Sequence, residues 1–276
     1  MQGIVFIGGG NMATALVGGL LAAGTPAASM SVVEPSAEQR ARLAARFPGV
    51  AVFEAAGADC LRAAQLVVLA VKPQQMREAC TTLAPHVRDV GAVLSIAAGT
   101  RVGDISRWLG GYARIVRAMP NTPALVGAGI SGMYAAPGVD AAAREAAEAV
   151  LRAAGDVLRC EREAMLDPVT GVSGSGPGYV FYLLEALEAA ARAAGFGAGD
   201  ARRLALATFA GSVKLAQSSD ADFATLRAQV TSKGGTTERG VAALEAGDVK
   251  GAIARAVRDA TRRADEMGEL FGRDDR

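Results

Sequence analysis

The chain has 276 residues, 51% of them apolar and 21% charged, with a formal net charge of +1 at pH 7. That length and apolar content suit one or two compact domains and exclude a disordered chain. The near-zero charge gives no electrostatic basis for nucleic acid or an acidic membrane surface as a partner.

Gln2 to Ile7 is a short apolar, β-branched run that reads as a buried strand. Gly8-Gly9-Gly10-Asn11-Met12-Ala13 follows and matches G-x-G-x-x-G/A, and a helical apolar pattern (Met12, Leu16, Leu20) begins at once. In that setting Gly8 allows a tight turn, Gly10 lets the backbone approach a pyrophosphate, and Ala13 permits close packing of helix on strand. The second strand ends at Glu34, an acidic position that bonds the ribose hydroxyls of NAD in this type of unit. Ser36 and Arg40 follow closely and would suit a 2′-phosphate, so the residues point both to NADPH and to NADH.

Strands are expected at Ile4–Ile7, Met30–Val33, Val50–Phe53, Leu66–Val71, Val93–Ala97, Ile115–Ala118, Ile130–Tyr134 and Val157–Cys160, alternating with helical stretches. This alternation predicts an α/β domain with a Rossmann-type, doubly wound parallel sheet over residues 1–162. After it no convincing strand remains. Helical runs cover Arg162–Val172, Pro177–Ala194, Asp200–Ser218, Phe223–Val230, Thr236–Ala246 and Val249–Phe271, giving an all-helical domain over residues 163–276. Tyr179 to Leu184 is apolar on every side of its helix, more surface than this half can bury alone. A homodimer through the C-terminal helices is therefore expected.

Loops at the carboxyl ends of the strands should gather beside the glycine loop: Ala70-Val71-Lys72-Pro73, Ser95 to Thr100, and Arg117 to Pro123. The small residues Ala97 and Ala98 would let a flat nicotinamide ring approach the backbone. Ser173-Gly174-Ser175-Gly176-Pro177-Gly178 reads as a break between two helices, with Pro177 in a new first turn. Farther on, Thr231-Ser232-Lys233-Gly234-Gly235-Thr236-Thr237 precedes another helix. Hydroxyls on both sides of a Gly-Gly step, at a helix start with unpaired N–H groups, make a pocket for a carboxylate or similar anion; a plain Thr-capped helix has the same letters. Three cysteines without C-x-x-C spacing suggest free thiols, a reducing cytoplasm and no metal site. A strand starting at residue 2 leaves no room for a signal peptide, and no apolar run reaches membrane-spanning length.

Taken in order, Gly8–Ala13, Ala70–Pro73, Ser95–Gly99, Met119–Pro123, Ser173–Tyr179 and Val230–Thr237 resemble the pyrroline-5-carboxylate reductase family of proline biosynthesis. The resemblance spans nearly the whole chain and is most specific at Val230–Gly240. It implies reduction of the C=N bond of 1-pyrroline-5-carboxylate to proline by NADPH, with NADH possible. It also implies dimers, often joined into larger homo-oligomers. Carried over by position, Ile7, Gly8, Gly9, Gly10, Asn11 and Met12 would cradle the pyrophosphate. Ala70, Val71, Lys72, Pro73, Ala97 and Ala98 would line the nicotinamide end. Ser232, Gly234, Gly235, Thr236 and Thr237 would hold the substrate carboxylate, and Thr237 is the candidate to bond the ring nitrogen; Tyr179 and Lys233 are weaker candidates.

The chain departs from the family pattern at Glu34, where a small residue is common, at Gly57 in place of Asn, at Gly178 in place of Ala, and at Gly197-Ala198-Gly199. A protonated cyclic imine already accepts hydride, so no strong protein acid is required. The one histidine, His86, lies far in sequence from every site segment and reads as a surface or packing residue. Three alternatives remain. A hydroxy-acid or keto-acid reductase of the same build would need a catalytic Lys on the first long helix of the second domain, and residues 161–194 contain none. The others are a nucleotide-binding protein without turnover and a reductase of related cyclic imines.

Overall fold

The computed structural model describes residues 3–62 and 64–273. Gln2, placed above in the first strand, lies outside them. The eight strands are β1 (Ile4–Ile7), β2 (Met30–Val33), β3 (Ala51–Phe53), β4 (Leu66–Leu69), β5 (Ala92–Ser95), β6 (Ile115–Met119), β7 (Gly129–Ala135) and β8 (Gly155–Arg159). The α-helices are α1 (Asn11–Ala22), α2 (Ala37–Arg46), α3 (Ala58–Leu61), α4 (Met76–Leu83), α5 (Val102–Trp108), α6 (Ala141–Arg152) and α7 (Leu166–Val169), followed by α8 (Gly176–Ala193), α9 (Ala198–Gln217), α10 (Phe223–Gln229), α11 (Thr236–Ala246) and α12 (Val249–Gly272).

The chain separates into two compact units. One runs to Ser175 and takes back the chain from Arg258; the other is Gly176–Val257. By compactness the division falls at Ser175, and α12 is shared.

In the first unit the strands form a single sheet in the order β3-β2-β1-β4-β5-β6-β7-β8. The first six are parallel, as in a doubly wound fold. The expected doubly wound parallel sheet is present, with one reversal at its far side: β7 runs antiparallel to β6, with Arg117 opposite Tyr134, and β8 follows β7 in parallel. The link from Met119 to Gly129 is too short for the crossover of about a dozen residues or more that a parallel neighbour requires, so the chain turns back.

Strand alternation divides the core between the two faces of the sheet. Ile4, Phe6, Leu66, Val68 and Leu94 pack with Leu16 and Leu20 of α1 and Val150 of α6. Val5, Ile7, Val67, Leu69 and Val93 face the other way, onto Met76, Cys80 and Leu83 of α4 and Ile105 of α5. The C-terminal turns of α12 belong to this unit as well. Arg101 pairs with Asp265, and Arg107 donates to Gly272 O at 2.8 Å.

A correction concerns residues 162–179. In place of a helix, a loop and a new helix, the chain forms a 3-10 turn (Glu163–Met165), α7, a π-type turn (Thr170–Gly174) and then α8. The π-type turn takes in Ser173 and Gly174, Ser175 is a bend, and α8 opens at Gly176 with Pro177 in its first turn; Gly174 carries no side chain where a Cβ would lie 2.6 Å from Met119 Cε.

The second unit is helical throughout. α8 packs along α9, which buries Ala201 and Ala205. α8 itself has no buried residue; Phe181 is 65% and Tyr182 72% exposed. Val213 and Leu215 of α9 are also exposed. Among the described residues no helix is long and apolar enough to cross a membrane.

Candidate active site

β1 delivers the chain to Gly8, whose φ of +98° suits glycine and whose N–H donates to Val33 O at 2.8 Å. A Cβ there would sit 2.9 Å from Ala70 O, so the glycine loop lies directly against the chain leaving β4. A Cβ on Gly9 would meet Leu43 Cδ1 at 2.5 Å, whereas Gly10 has nothing within 4 Å of that position. Gly10 caps α1 without a side-chain hydrogen bond, and the first turn of α1 holds no acidic residue. The result is an open, unshielded helix start beside a bare loop, the shape and polarity that suit a pyrophosphate. Ala13, 1% exposed, seats α1 against the sheet. The residues present thus fit a dinucleotide.

At the end of β2 the side chains expected at the adenosine ribose are tied to the backbone. Glu34 accepts the Gly9 N–H on Oε2 and the Ser36 N–H on Oε1, both at 2.9 Å. Ser36 Oγ caps α2 by accepting the Gln39 N–H at 3.4 Å. Arg40 donates through Nη1 to Glu34 O at 3.0 Å and Pro35 O at 2.6 Å, and its Nη2 lies 3.2 Å from Glu54.

β1, β4 and β5 are parallel neighbours in register, so Gly8, Ala70 and Ile96 leave the sheet at one edge. Both strands end earlier than expected, at Leu69 and Ser95, which releases Ala70–Pro73 and Ala97–Ala98 as loops. Ala70 N–H donates to Ile7 O at 2.8 Å, and Ile96 N–H to Leu69 O at 3.2 Å. Pro73 then opens a 3-10 turn. Ala97 is buried while Lys72 is exposed.

Two further site segments meet in a way that sequence reasoning missed. Asn121, 9% exposed, accepts the Ile130 N–H at 3.0 Å and donates to Ser173 Oγ at 3.2 Å. This joins Met119–Pro123 to the start of the Ser173–Tyr179 stretch across 52 positions. The polar type of both residues was the available signal, but their pairing was not readable. Nearby, buried Arg117 pairs with Glu163 at 3.0 Å and lies 3.9 Å from Asp167. Burial pushes the Asp167 carboxyl above its ordinary range, against the opposing pull of Arg117 and Arg101.

The hydroxyl-flanked step lies wholly in the second unit. Gly234 has φ +75°, and its N–H is held by Glu238 Oε2 at 2.7 Å. Gly235 N–H donates to Ser232 O at 2.9 Å and caps α11 without a side-chain bond. Among the described residues no acceptor is present for the N–H groups of Thr236 and Thr237. Both residues, with Ser232 and Lys233, are exposed. Of the donors expected there, two glycine amides are occupied; two threonine amides and three hydroxyls stay available. Tyr179 donates to Ala256 O at 3.4 Å, and His86 is exposed on the surface of the first unit.

Residues 163–267 match the family model for pyrroline-5-carboxylate reductase dimerisation, and residues 3–99 match that for NADP oxidoreductase, coenzyme F420-dependent. The chain is similar to the pyrroline-5-carboxylate reductase of Pseudomonas aeruginosa, at 43% identity over 269 residues and 98% of each chain. It is 37% identical to that of Haemophilus influenzae, covering 97% of this chain and 98% of the relative. The structure of a pyrroline-5-carboxylate reductase from Coxiella burnetii matches with a TM-score of 0.91 and 37% identity, over 96% of this chain and 98% of that one. The Plasmodium falciparum enzyme, solved with NADP bound, matches with a TM-score of 0.84 and 26% identity, over 97% and 98%. With a nucleotide-binding unit, a dimerisation domain and full-length relatives of one kind, this chain belongs to the pyrroline-5-carboxylate reductase family.

Proposed function

We propose that the protein reduces the C=N bond of 1-pyrroline-5-carboxylate to give proline, the last step of proline biosynthesis, using NADPH or NADH. When bound, the reduced nicotinamide supplies the hydride that adds to the imine carbon. Residues 1–162 hold the dinucleotide, with Ile7 to Met12 at the pyrophosphate, Glu34 and Ser36 at the ribose, and Ala70–Pro73, Ala97 and Ala98 at the nicotinamide end. Residues 163–276 supply dimerisation and the substrate; the last three of these lie outside the described residues.

The observation that carries the reading is the start of α11. Free amides at Thr236 and Thr237, with the hydroxyls of Ser232, Thr236 and Thr237, form a compact donor set for a carboxylate. Such charge-assisted bonds contribute about 1.5–3 kcal/mol each. Thr237 Oγ1 is the group we assign to the ring nitrogen, where it orients the imine and holds its proton. Alignment of this kind lowers a barrier by roughly 7–11 kcal/mol in favourable cases.

The uncovered apolar face of α8 and α9 and the match to a dimerisation model support a homodimer, and the family resemblance extends the reading to larger homo-oligomers built from such dimers. Free Cys60, Cys80 and Cys160 suit a reducing cytoplasm; burial pushes the Cys80 thiol up to about 12, which keeps it inert. The test is oxidation of NADPH and NADH by purified protein given 1-pyrroline-5-carboxylate. Rapid oxidation with proline as product is expected; no oxidation with either, from folded protein that binds nucleotide, would remove the proline assignment.

A further inference from the structure

We infer that Glu34 sets the dinucleotide preference and tilts it to NADH. The inference rests on the proposed reductase function and concerns one position, the 2′ substituent of the adenosine ribose. In a doubly wound sheet that ribose lies at the end of the second strand.

A 2′-phosphate needs N–H, O–H or guanidinium donors there, and most of the candidates already serve acceptors of the protein, which leaves the Ser36 O–H. Ser36 N–H is bonded to Glu34 Oε1, and Ser36 Oγ caps α2. Arg40 gives Nη1 to two main-chain carbonyls and faces Glu54 with Nη2. The charges these contacts collect are two carboxylates, Glu34 and Glu54, against the one guanidinium of Arg40. A phosphate dianion entering this place meets an excess of like charge.

Ribose hydroxyls meet the opposite situation. An ionised carboxylate offers about four acceptor positions, and Glu34 uses two of them on amides. The remaining lone pairs can accept a pair of ribose hydroxyls. The carboxylate is also fixed in place before the ligand arrives, because it bridges the glycine loop at Gly9 and the β2–α2 turn at Ser36. Gly9 makes the bridge possible: a Cβ there would lie 3.3 Å from Glu34 Oε2. Turning Glu34 away to admit a phosphate would break both bonds of this bridge.

The experiment is direct binding by calorimetry, with full-length wild type, Glu34→Gln and Glu34→Asp, each titrated with NADH, NADPH, ADP and 2′,5′-ADP. Wild type is expected to bind NADH about tenfold or more tighter than NADPH, as like-charge contacts impose, with the same order for ADP over 2′,5′-ADP. Glu34→Gln should bring the ratio to about one by tightening NADPH, while Glu34→Asp keeps it. The ratio compares two ligands on one protein, so a loop merely loosened by substitution weakens both and leaves it in place. Equal or tighter NADPH binding by wild type overturns the inference while leaving the reductase reading intact, as does an unchanged ratio in Glu34→Gln. Failure to bind any of the four ligands would sink both.

Discussion

The starts of α1 and α11 use the same local device with different support. Each helix is capped by a glycine without a side-chain bond, Gly10 and Gly235. Each preceding loop has an N–H held by a glutamate, Gly9 by Glu34 at 2.9 Å and Gly234 by Glu238 at 2.7 Å. The first sits on a helix with four buried residues, Ala13, Leu16, Val17 and Leu20, against a complete sheet; the second sits on a helix with none. An anion site needs donors, which local sequence provides, and walls, which only packing provides. The nucleotide cradle receives its walls from its own unit. The hydroxyl clamp is left exposed within its unit and calls for cover from outside it.

The sharpest way to break this contrast is Gly8→Ala. The substitution places a Cβ 2.9 Å from Ala70 O at a φ of +98°. Strain of about 1–3 kcal/mol on the loop should cost on the order of a hundredfold in nucleotide affinity. Calorimetry that found affinity retained would show a loop that yields freely. Next, Phe181→Asp puts a charge on the uncovered face of α8. Dimer dissociation should rise by at least roughly thirtyfold, as at a binding hot spot, with nucleotide affinity kept. Analytical ultracentrifugation alongside calorimetry separates the two effects, and a dimer as tight as wild type would place the interface elsewhere.

Thr237→Ala probes the clamp itself. Loss of one charge-assisted bond predicts about tenfold slower turnover with nucleotide binding unchanged; steady-state kinetics identical to wild type would take Thr237 out of the mechanism. The smallest effect is expected at Asp167, whose carboxyl is raised by burial. A group with a raised folded-state value favours folding in its protonated form, and that advantage is lost as pH rises through the folded value. Asp167→Asn should therefore melt slightly higher than wild type at pH 7, by about a few degrees or less. The difference should vanish well below the ordinary carboxylate range. Arg117 keeps Glu163 at 3.0 Å in the variant. A lower melting temperature at pH 7 would mean that the ion pair outweighs the burial.

Much of this molecule was legible because its signals are local. Gly8–Ala13 names a turn and a helix start within six residues, the strand runs alternate between two faces, and Val230–Gly240 carries its donors in one short stretch. Those features determined a Rossmann-type sheet, a helical second half and two candidate anion sites by themselves, since each depends on backbone conformation over a few neighbours. Tertiary structure decided the rest. It reversed β7, because a short link leaves no room for a crossover, and it carried a π-type turn through Gly174 beside Met119. It joined Asn121 to Ser173, and it turned Glu34 from a side chain with two readings into a bridge with both oxygens engaged. The Asn121–Ser173 pair, the Gly174–Met119 approach and the Gly9 end of the Glu34 bridge are set by what the chain meets from far along its length, and no short window of sequence contains that partner.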